Sequence, residues 1–442
     1  MNQTFSAMTR WLEGRPAETC LFERLVADGF GGSVEKWLGT APDGQVFGRF
    51  FKDLAKVDFD WLVRLSRDIV ASREIAPGAV RLVPAESSDF GDLDKEVFAK
   101  AGEAALQAGK VGVLIFAGGA ATRFWAGAAD HPQASAVIKR YGGNPPKGLF
   151  PVGAVTGRSF LDLFAGEMLE SGCWVGKFAP LILMAGSSTR EALQLWVDTS
   201  LPAGFPRDMV RVIVQAEHPR LDMDGDLIIR PDGSLVFTGD GHGGVYKALM
   251  AVGDDGLTAV DWLRDKGVES LVLHNVDNVA ARALDPVRLG WHVLGGYDLT
   301  LSAVPRLDPF EKVGIIALNA DTGRVDVVEY SVCPADLATA VDADGRLLFV
   351  PAHINTNIVR LDAVKPDLPP TLYTGKEVEV GGKLVPACSH EMLNQSLAGL
   401  LDPARVGVLI LPRDGYFQPT KSLTGVDSLE TTREWLSDFG WD

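Results

Sequence analysis

Residues 111–124 read VGVLIFAGGAATRF: an unbroken apolar run that stops at two glycines and is followed by an arginine. An apolar run without alternation is the pattern of a strand buried on both faces of a parallel sheet. Similar runs recur at APLILMAG (179–186), MVRVIVQ (209–215), SLVLHNVD (270–277), LTLSAV (299–304) and VGIIAL (313–318), with helical stretches such as FLDLFAGEML and TREALQLWV between them. Strands alternating with helices predict an α/β domain built on a mostly parallel sheet. In open sheets of this kind, ligands bind at the carboxyl ends of the strands. Glycines there, at Gly118 and Gly119, let backbone N–H groups approach a phosphate or a base.

Working outward, residues 93–108 carry Leu93, Val97, Ala101 and Ala104 at helical spacing, and Gly109 stands where a helix C-cap is expected. Before them, FSAMTRWLEGR, VEKWLGTA and FDWLVRLSRDIVAS predict short amphipathic helices without strands. LIIRPDGSLVF predicts a hairpin about Pro231, Asp232 and Gly233. The Pro- and Gly-rich stretch after Pro366, with a further strand at VGVLILP, predicts a small C-terminal domain. The expected organisation is a helical region over 1–108, an α/β domain over 109–365 and a small domain over 366–442.

The chain has 442 residues, 46% hydrophobic and 23% charged, as in ordinary globular proteins. Its net charge of −16 disfavours nucleic acid and anionic lipid as partners. No apolar run is long enough to span a bilayer. The four cysteines, Cys20, Cys173, Cys333 and Cys388, have no metal or redox spacing, so reduced thiols are expected. With no signal-peptide pattern at the start, the expectation is a cytoplasmic protein.

Four constellations bear on chemistry, each with a structural alternative. Arg123, after the glycines, offers a fixed positive fork to phosphate oxygens, or is a surface residue after a tight turn. Neither GxGxxG nor GxxxxGK[ST] is present, which tells against nicotinamide and P-loop sites. Lys147 in PPKG sits in a stiff loop and can meet phosphates as a point charge, or marks a surface turn. GDGHGGVY (239–246) is too glycine-rich for regular structure and reads as a ligand loop carrying His242, or as one holding a structural histidine. HNVDN (274–278) ends a strand with Asp277, which can hold Mg²⁺ or cap a following helix. Asp222, Asp224 and Asp226 lack the glycine of a calcium loop and read as a solvated turn.

In this order, the motifs resemble the UDP-sugar pyrophosphorylase family over about 109–424. The resemblance implies a Rossmann-like α/β fold with a mixed, mostly parallel sheet of the nucleotidyltransferase (GT-A-like) type. It implies transfer of a nucleotidyl group from UTP, or another nucleoside triphosphate, to a sugar 1-phosphate, with Mg²⁺ as cofactor. It assigns Phe116, Ala117, Gly118, Gly119, Gln215 and Gly241 to the nucleotide and Arg123, Lys147 and Lys421 (in QPTKSLTG) to the phosphates. His242, Asn275, Glu311, Gly314, Glu329 and Asn357 would contact the sugar phosphate, and Asp277 the metal. Two features depart from the pattern: Ala121 replaces the usual glycine, and 124–144 is a longer link than usual, giving a lid, an oligomer contact or a neutral insertion. Presence of Arg123, Lys147, Asp277 and Lys421 together argues against the rival reading, a non-catalytic nucleotide-sugar sensor, and the absent GxGxxG against a nicotinamide-dependent oxidoreductase.

Overall fold

The computed structural model of the chain describes residues 6–40, 44–73, 81–119, 121–128, 131–142 and 145–441. They form two compact units, each assembled from three separate stretches. The larger comprises 80–215, 245–368 and 394–442; the smaller comprises 1–79, 216–244 and 369–393. The three consecutive domains expected from the sequence are therefore not the units observed. Residues 369–393 pack with the N-terminal helices, and the rest of the C-terminal stretch joins the α/β unit.

The larger unit is built on a mixed sheet of twelve described strands. Its path runs Leu82–Pro84, Gly314–Asn319, Pro351–His353, Leu299–Pro305, Thr356–Arg360, Ser270–Asn275, Val111–Phe116, Leu181–Ala185, Val210–Val214. Each apolar run read from the sequence is one of these strands, and the four last in the path are mutually parallel. The chain adds 181–185 and 210–214 on one side of Val111–Phe116, then returns to add 270–275 on the other. By the rule for open sheets, such a reversal places the ligand crevice at the carboxyl ends of the flanking strands, here 111–116 and 270–275. Val406–Ile410 lies parallel to Leu299–Pro305 in this same sheet, not in a separate domain. The region expected to lack strands contributes Leu82–Pro84 and Ser88–Asp89 at sheet edges.

The helix expected at 93–108 spans Lys95–Gln107, N-capped by Asp94, and Gly109 follows at φ +69°. Its inward face differs from the one expected: Val97 is half exposed, whereas Gly102, Ala105 and Leu106 are buried. A Cβ on Gly102 would collide with the carbonyl oxygen of Pro286, so this helix crosses Pro286–Leu294 backbone to backbone. Close approach has replaced the large apolar side chains that periodicity looks for. In the 124–144 link, the helix Pro132–Tyr141 buries Ala134 and Val137 in the core, and Arg140 donates to Ser200 Oγ at 2.7 Å.

The smaller unit packs helices, among them Gly44–Leu54 and Phe59–Ser72, against the strands Pro370–Val380, Lys383–Met392 and Leu221–Asp222. Its core includes Phe47, Phe50, Leu54, Leu62, Leu65, Leu221 and Cys388. At the expected hairpin, Ile229 and Leu235 form a bridge across a turn in which Gly233 has φ +82°. Asp222 Oδ1 accepts from the N–H groups of Asp224 and Asp226, which makes that acidic run a turn. Among the described residues no helix is long and apolar enough to cross a membrane.

Three histidines are buried in the larger unit, and desolvation pushes each below its ordinary value: His274 to about 4, His292 to about 3 and His353 to about 4. Each stays neutral in the folded chain at a pH where the unfolded chain binds a proton, so stability rises with pH up to about 6.5 and is lost below it. Going from pH 6.5 to 5.5 should cost about 1 kcal/mol per histidine. The urea midpoint measured across that interval should fall with pH, and His292→Asn should flatten the slope.

Candidate active site

The loop Pro145–Gly148 reaches the crevice because Gly148 has no side chain: a Cβ there would lie 2.7 Å from Val276 Cγ2. The approach sets Lys147 against the segment after Ser270–Asn275. Lys147 Nζ donates to Asp277 Oδ2 at 2.7 Å and to the Thr420 carbonyl at 2.7 Å. The Lys147 and Asp277 side chains are 12% and 21% exposed, so the pair is only partly screened by water. Thr420 N–H in turn donates to the Asp277 carbonyl at 2.9 Å. Buried Asn278 completes the knot by donating to Tyr416 O and accepting from Gln418 N–H. Lys421, next along, is half exposed and donates to Asp427 Oδ2 at 2.8 Å. Asp277 thus pairs with a lysine and does not cap a helix. Among the described residues no three His, Cys, Asp or Glu side chains cluster as a metal cage.

The glycine loop follows Val111–Phe116 directly. Phe116 is in register with Asn275 on the neighbouring strand, and Ala117 N–H continues the ladder to Met184 O. Gly118 packs against the backbone of Ala185 and Gly186, where a Cβ would collide, whereas a Cβ on Gly119 would meet open space. Gln215 lies at the same sheet edge, with its N–H on Ala185 O. Ala121 holds φ +46°, the left-handed conformation that suits glycine. Arg123 falls in the helix Thr122–Gly127, but its side chain lies outside the described residues.

On the other side of Asn275, the segment 351–360 bends at Asn355, which has φ +52°. Around the bend runs a series of side-chain bonds. His353 Nε2 meets Asn357 Oδ1 at 3.1 Å, and Asn357 Nδ2 meets Asn394 Oδ1 at 2.7 Å. Asn394 Nδ2 then meets Asn355 Oδ1 at 2.6 Å, and Asn355 Nδ2 meets Asn275 Oδ1 at 2.8 Å. Asn357, expected at the sugar, is fully buried with both ends of its amide in this series. Glu329 accepts from Gln395 Nε2 at 2.7 Å beside Gly314, and burial pushes its carboxyl above the usual carboxylate range. Glu311 is engaged by Arg413 and by Leu307 N–H. Buried Arg288 pins the crevice from beneath, donating to the carbonyls of Ala281, Arg282 and Thr356. Sequence reasoning missed Asn355, Asn394, Gln395 and Arg288. Only Asn355 carried a signal, two residues before Asn357 in the run INTNIV (354–359).

Gly241 and His242 belong to the smaller unit. There a Cβ on Gly241 would clash with Met392 O, and one on Gly243 would lie 2.6 Å from Leu393 N. The glycines of this loop make room for the chain's own backbone.

A family model described as UTP–glucose-1-phosphate uridylyltransferase matches residues 137–367, just over half of the chain. The chain belongs to this family. Among curated relatives, UDP-N-acetylglucosamine diphosphorylase 1 of Arabidopsis thaliana is 26% identical over 357 residues, covering 77% of this chain and 66% of that protein. The UDP-N-acetylglucosamine pyrophosphorylase of Saccharomyces cerevisiae is 26% identical over 381 residues, covering 79% and 75%. The chain thus spans slightly less than two thirds of the Arabidopsis relative. A crystal structure of the uridine diphosphate N-acetylglucosamine pyrophosphorylase of Trypanosoma brucei, in complex with inhibitor, superposes with a TM-score of 0.74 at 20% identity. It covers 95% of this chain and 84% of its own, and shares the fold.

The glycine loop makes a folding contrast measurable by urea titration. Gly118→Ala should destabilise by about 1–3 kcal/mol through overpacking, whereas Gly119→Ala should change stability by less than about 0.5 kcal/mol. Ala121→Gly, which relieves a left-handed alanine, should stabilise by about 0.5–1 kcal/mol.

Proposed function

We propose that the chain transfers the uridylyl group of UTP to a sugar 1-phosphate, releasing pyrophosphate, and that the sugar is an N-acetylhexosamine. The observation that carries the reaction is Lys147 held on Asp277 and Thr420 at the crevice between Val111–Phe116 and Ser270–Asn275. Family membership supports the reaction, and the N-acetylglucosamine in the names of the plant and yeast relatives supports the sugar.

A phosphate monoester has a second pKa of about 6, so the nucleophilic oxygen is ionised at neutral pH and needs no general base. It attacks the α-phosphorus of UTP. The bond from that phosphorus to the bridging oxygen breaks, and pyrophosphate leaves with the electron pair. The obstacle is bringing two polyanions together, so the chain's task is positioning and charge neutralisation. Lys147 supplies a positive charge already fixed in place. Lys421 supplies a second, because an exposed pair such as its contact with Asp427 is weak and a phosphate can replace the carboxylate. Arg123 is assigned a third by its place after the glycine loop. Asp277 would hold Mg²⁺: one hard carboxylate oxygen suits an ion that takes its other ligands from water and phosphates, and no larger acidic cage is needed. Bound there, Mg²⁺ would supply neutralising charge to the phosphates.

The test is pyrophosphate release from UTP and Mg²⁺ with N-acetylglucosamine 1-phosphate or glucose 1-phosphate. Release should be faster with the N-acetylated sugar; the reverse order overturns the sugar, and no release with either overturns the reaction. Lys147→Ala should lower kcat by roughly 10²–10³. An unchanged kcat would remove Lys147 from the mechanism.

A further inference from the structure

The bonds around Asn355 have a direction. Asn357 uses Nδ2 toward Asn394, so its Oδ1 is the atom that faces His353, and His353 Nε2 is the donor there. Asn394 accepts on Oδ1 and donates from Nδ2 to Asn355 Oδ1. Asn355 in turn donates to Asn275 Oδ1. Each amide accepts on one side and donates on the other, so the proton donors all point from His353 toward Asn275. With its carbonyl oxygen turned toward Asn355, Asn275 presents Nδ2 on the opposite side. Asn275 is the half-buried end of the series, whereas Asn357 and Asn394 are fully buried. It also stands two residues before Asp277, at the carboxyl end of its strand.

We infer that Asn394 is a positioning residue, and that the relay through Asn355 fixes Asn275 as a hydrogen-bond donor to an acceptor oxygen of the sugar 1-phosphate. This rests on the reaction proposed above. A solitary asparagine can turn its amide over and offer either atom. Here turning one amide would set oxygen against oxygen, so the polarity of the buried end dictates the polarity of the exposed end. Bonds in such a series also polarise one another, which strengthens the last donor. The left-handed backbone at Asn355 lets one side chain reach both Asn394 and Asn275.

Asn394→Asp separates this role from a purely structural one. An ionised carboxylate at 394 still accepts from Asn357 but cannot donate to Asn355. Asn355 then turns its amide, and Asn275 follows and presents oxygen in place of N–H. A protonated carboxyl donates again and restores the relay. Burial favours the protonated form, so recovery should begin within the working range as pH falls. The titratable groups around position 394 in the larger unit do not mimic this. Tyr246, which donates to the Asn394 backbone carbonyl at 3.3 Å, is pushed well above its ordinary value by burial. His353 is neutral above about 4. Glu329, bonded to neighbouring Gln395, is present in the wild type and cancels in the comparison.

The experiment measures kcat/KM for N-acetylglucosamine 1-phosphate, and KM for UTP, in wild type and Asn394→Asp from pH 6 to 8. At pH 8 the variant should lose roughly tenfold to a hundredfold in kcat/KM for the sugar phosphate, the scale of one hydrogen bond to a charged group. KM for UTP should stay within about twofold, and the defect should shrink toward pH 6. A defect shared by both substrates, a defect independent of pH, or no defect in a folded variant overturns the inference. Should Asn394→Asp not fold, Asn275→Asp replaces the donor directly, and unchanged kcat/KM there overturns it. If the wild type turns over no sugar phosphate, the reaction proposed above fails by itself. The relay is then tested by calorimetric binding of UDP-N-acetylglucosamine to wild type and Asn394→Asp at pH 6 and 8, where a pH-independent difference, or none, overturns it.

Discussion

The contact on which the site depends is the ion pair between Lys147 and Asp277. It joins segments 130 residues apart in sequence, and Thr420 adds a third from near the C-terminal end. Neither charge is fully exposed, so the attraction is stronger than at a free surface, and removing one partner would strand the other. The pair forms because Gly148 lets its loop lie on Val276. Once formed, it holds the lysine's charge beside the switch in strand order between Val111–Phe116 and Ser270–Asn275.

Beside that pair, buried polar groups interrupt an otherwise apolar core. Arg288, fully buried, satisfies carbonyls on the loop after Asp277 and at Thr356, tying both walls of the crevice to one guanidinium. The amides at 275, 355, 357 and 394 do the same for the bend beside it. Buried polar groups are costly unless they find partners, and the bonded series of amides admits few alternative arrangements. A mould of this kind suits a reaction whose catalysis is mainly positioning.

Strand identity was legible because burial on both faces of a parallel sheet demands continuous apolar runs, and the chain supplies them from Val111 to Ile410. The glycine loop at 118–119 and the aspartate motif were legible because each closes such a run, and Lys147 because prolines and a glycine bracket it. The segmentation into units was not. Residues 369–393 pack with helices more than 300 residues earlier, and Val406–Ile410 inserts beside Leu299–Pro305. Long-range pairings of this sort leave no local signature. The face of the helix Lys95–Gln107 was misjudged for a related reason: glycine-to-backbone packing carries no hydrophobic periodicity.

By itself, the sequence determined the α/β class, the strands, and the glycine and aspartate motifs at strand ends, since burial pattern and glycine placement are written locally. Tertiary structure alone decided which of these meet. Lys147, Asp277 and Thr420 converge, Asn357 turns inward, Glu311 is taken by Arg413, and Asn394 arrives from an otherwise featureless stretch. Strand order and close backbone approach set those meetings, and both are properties of the folded chain.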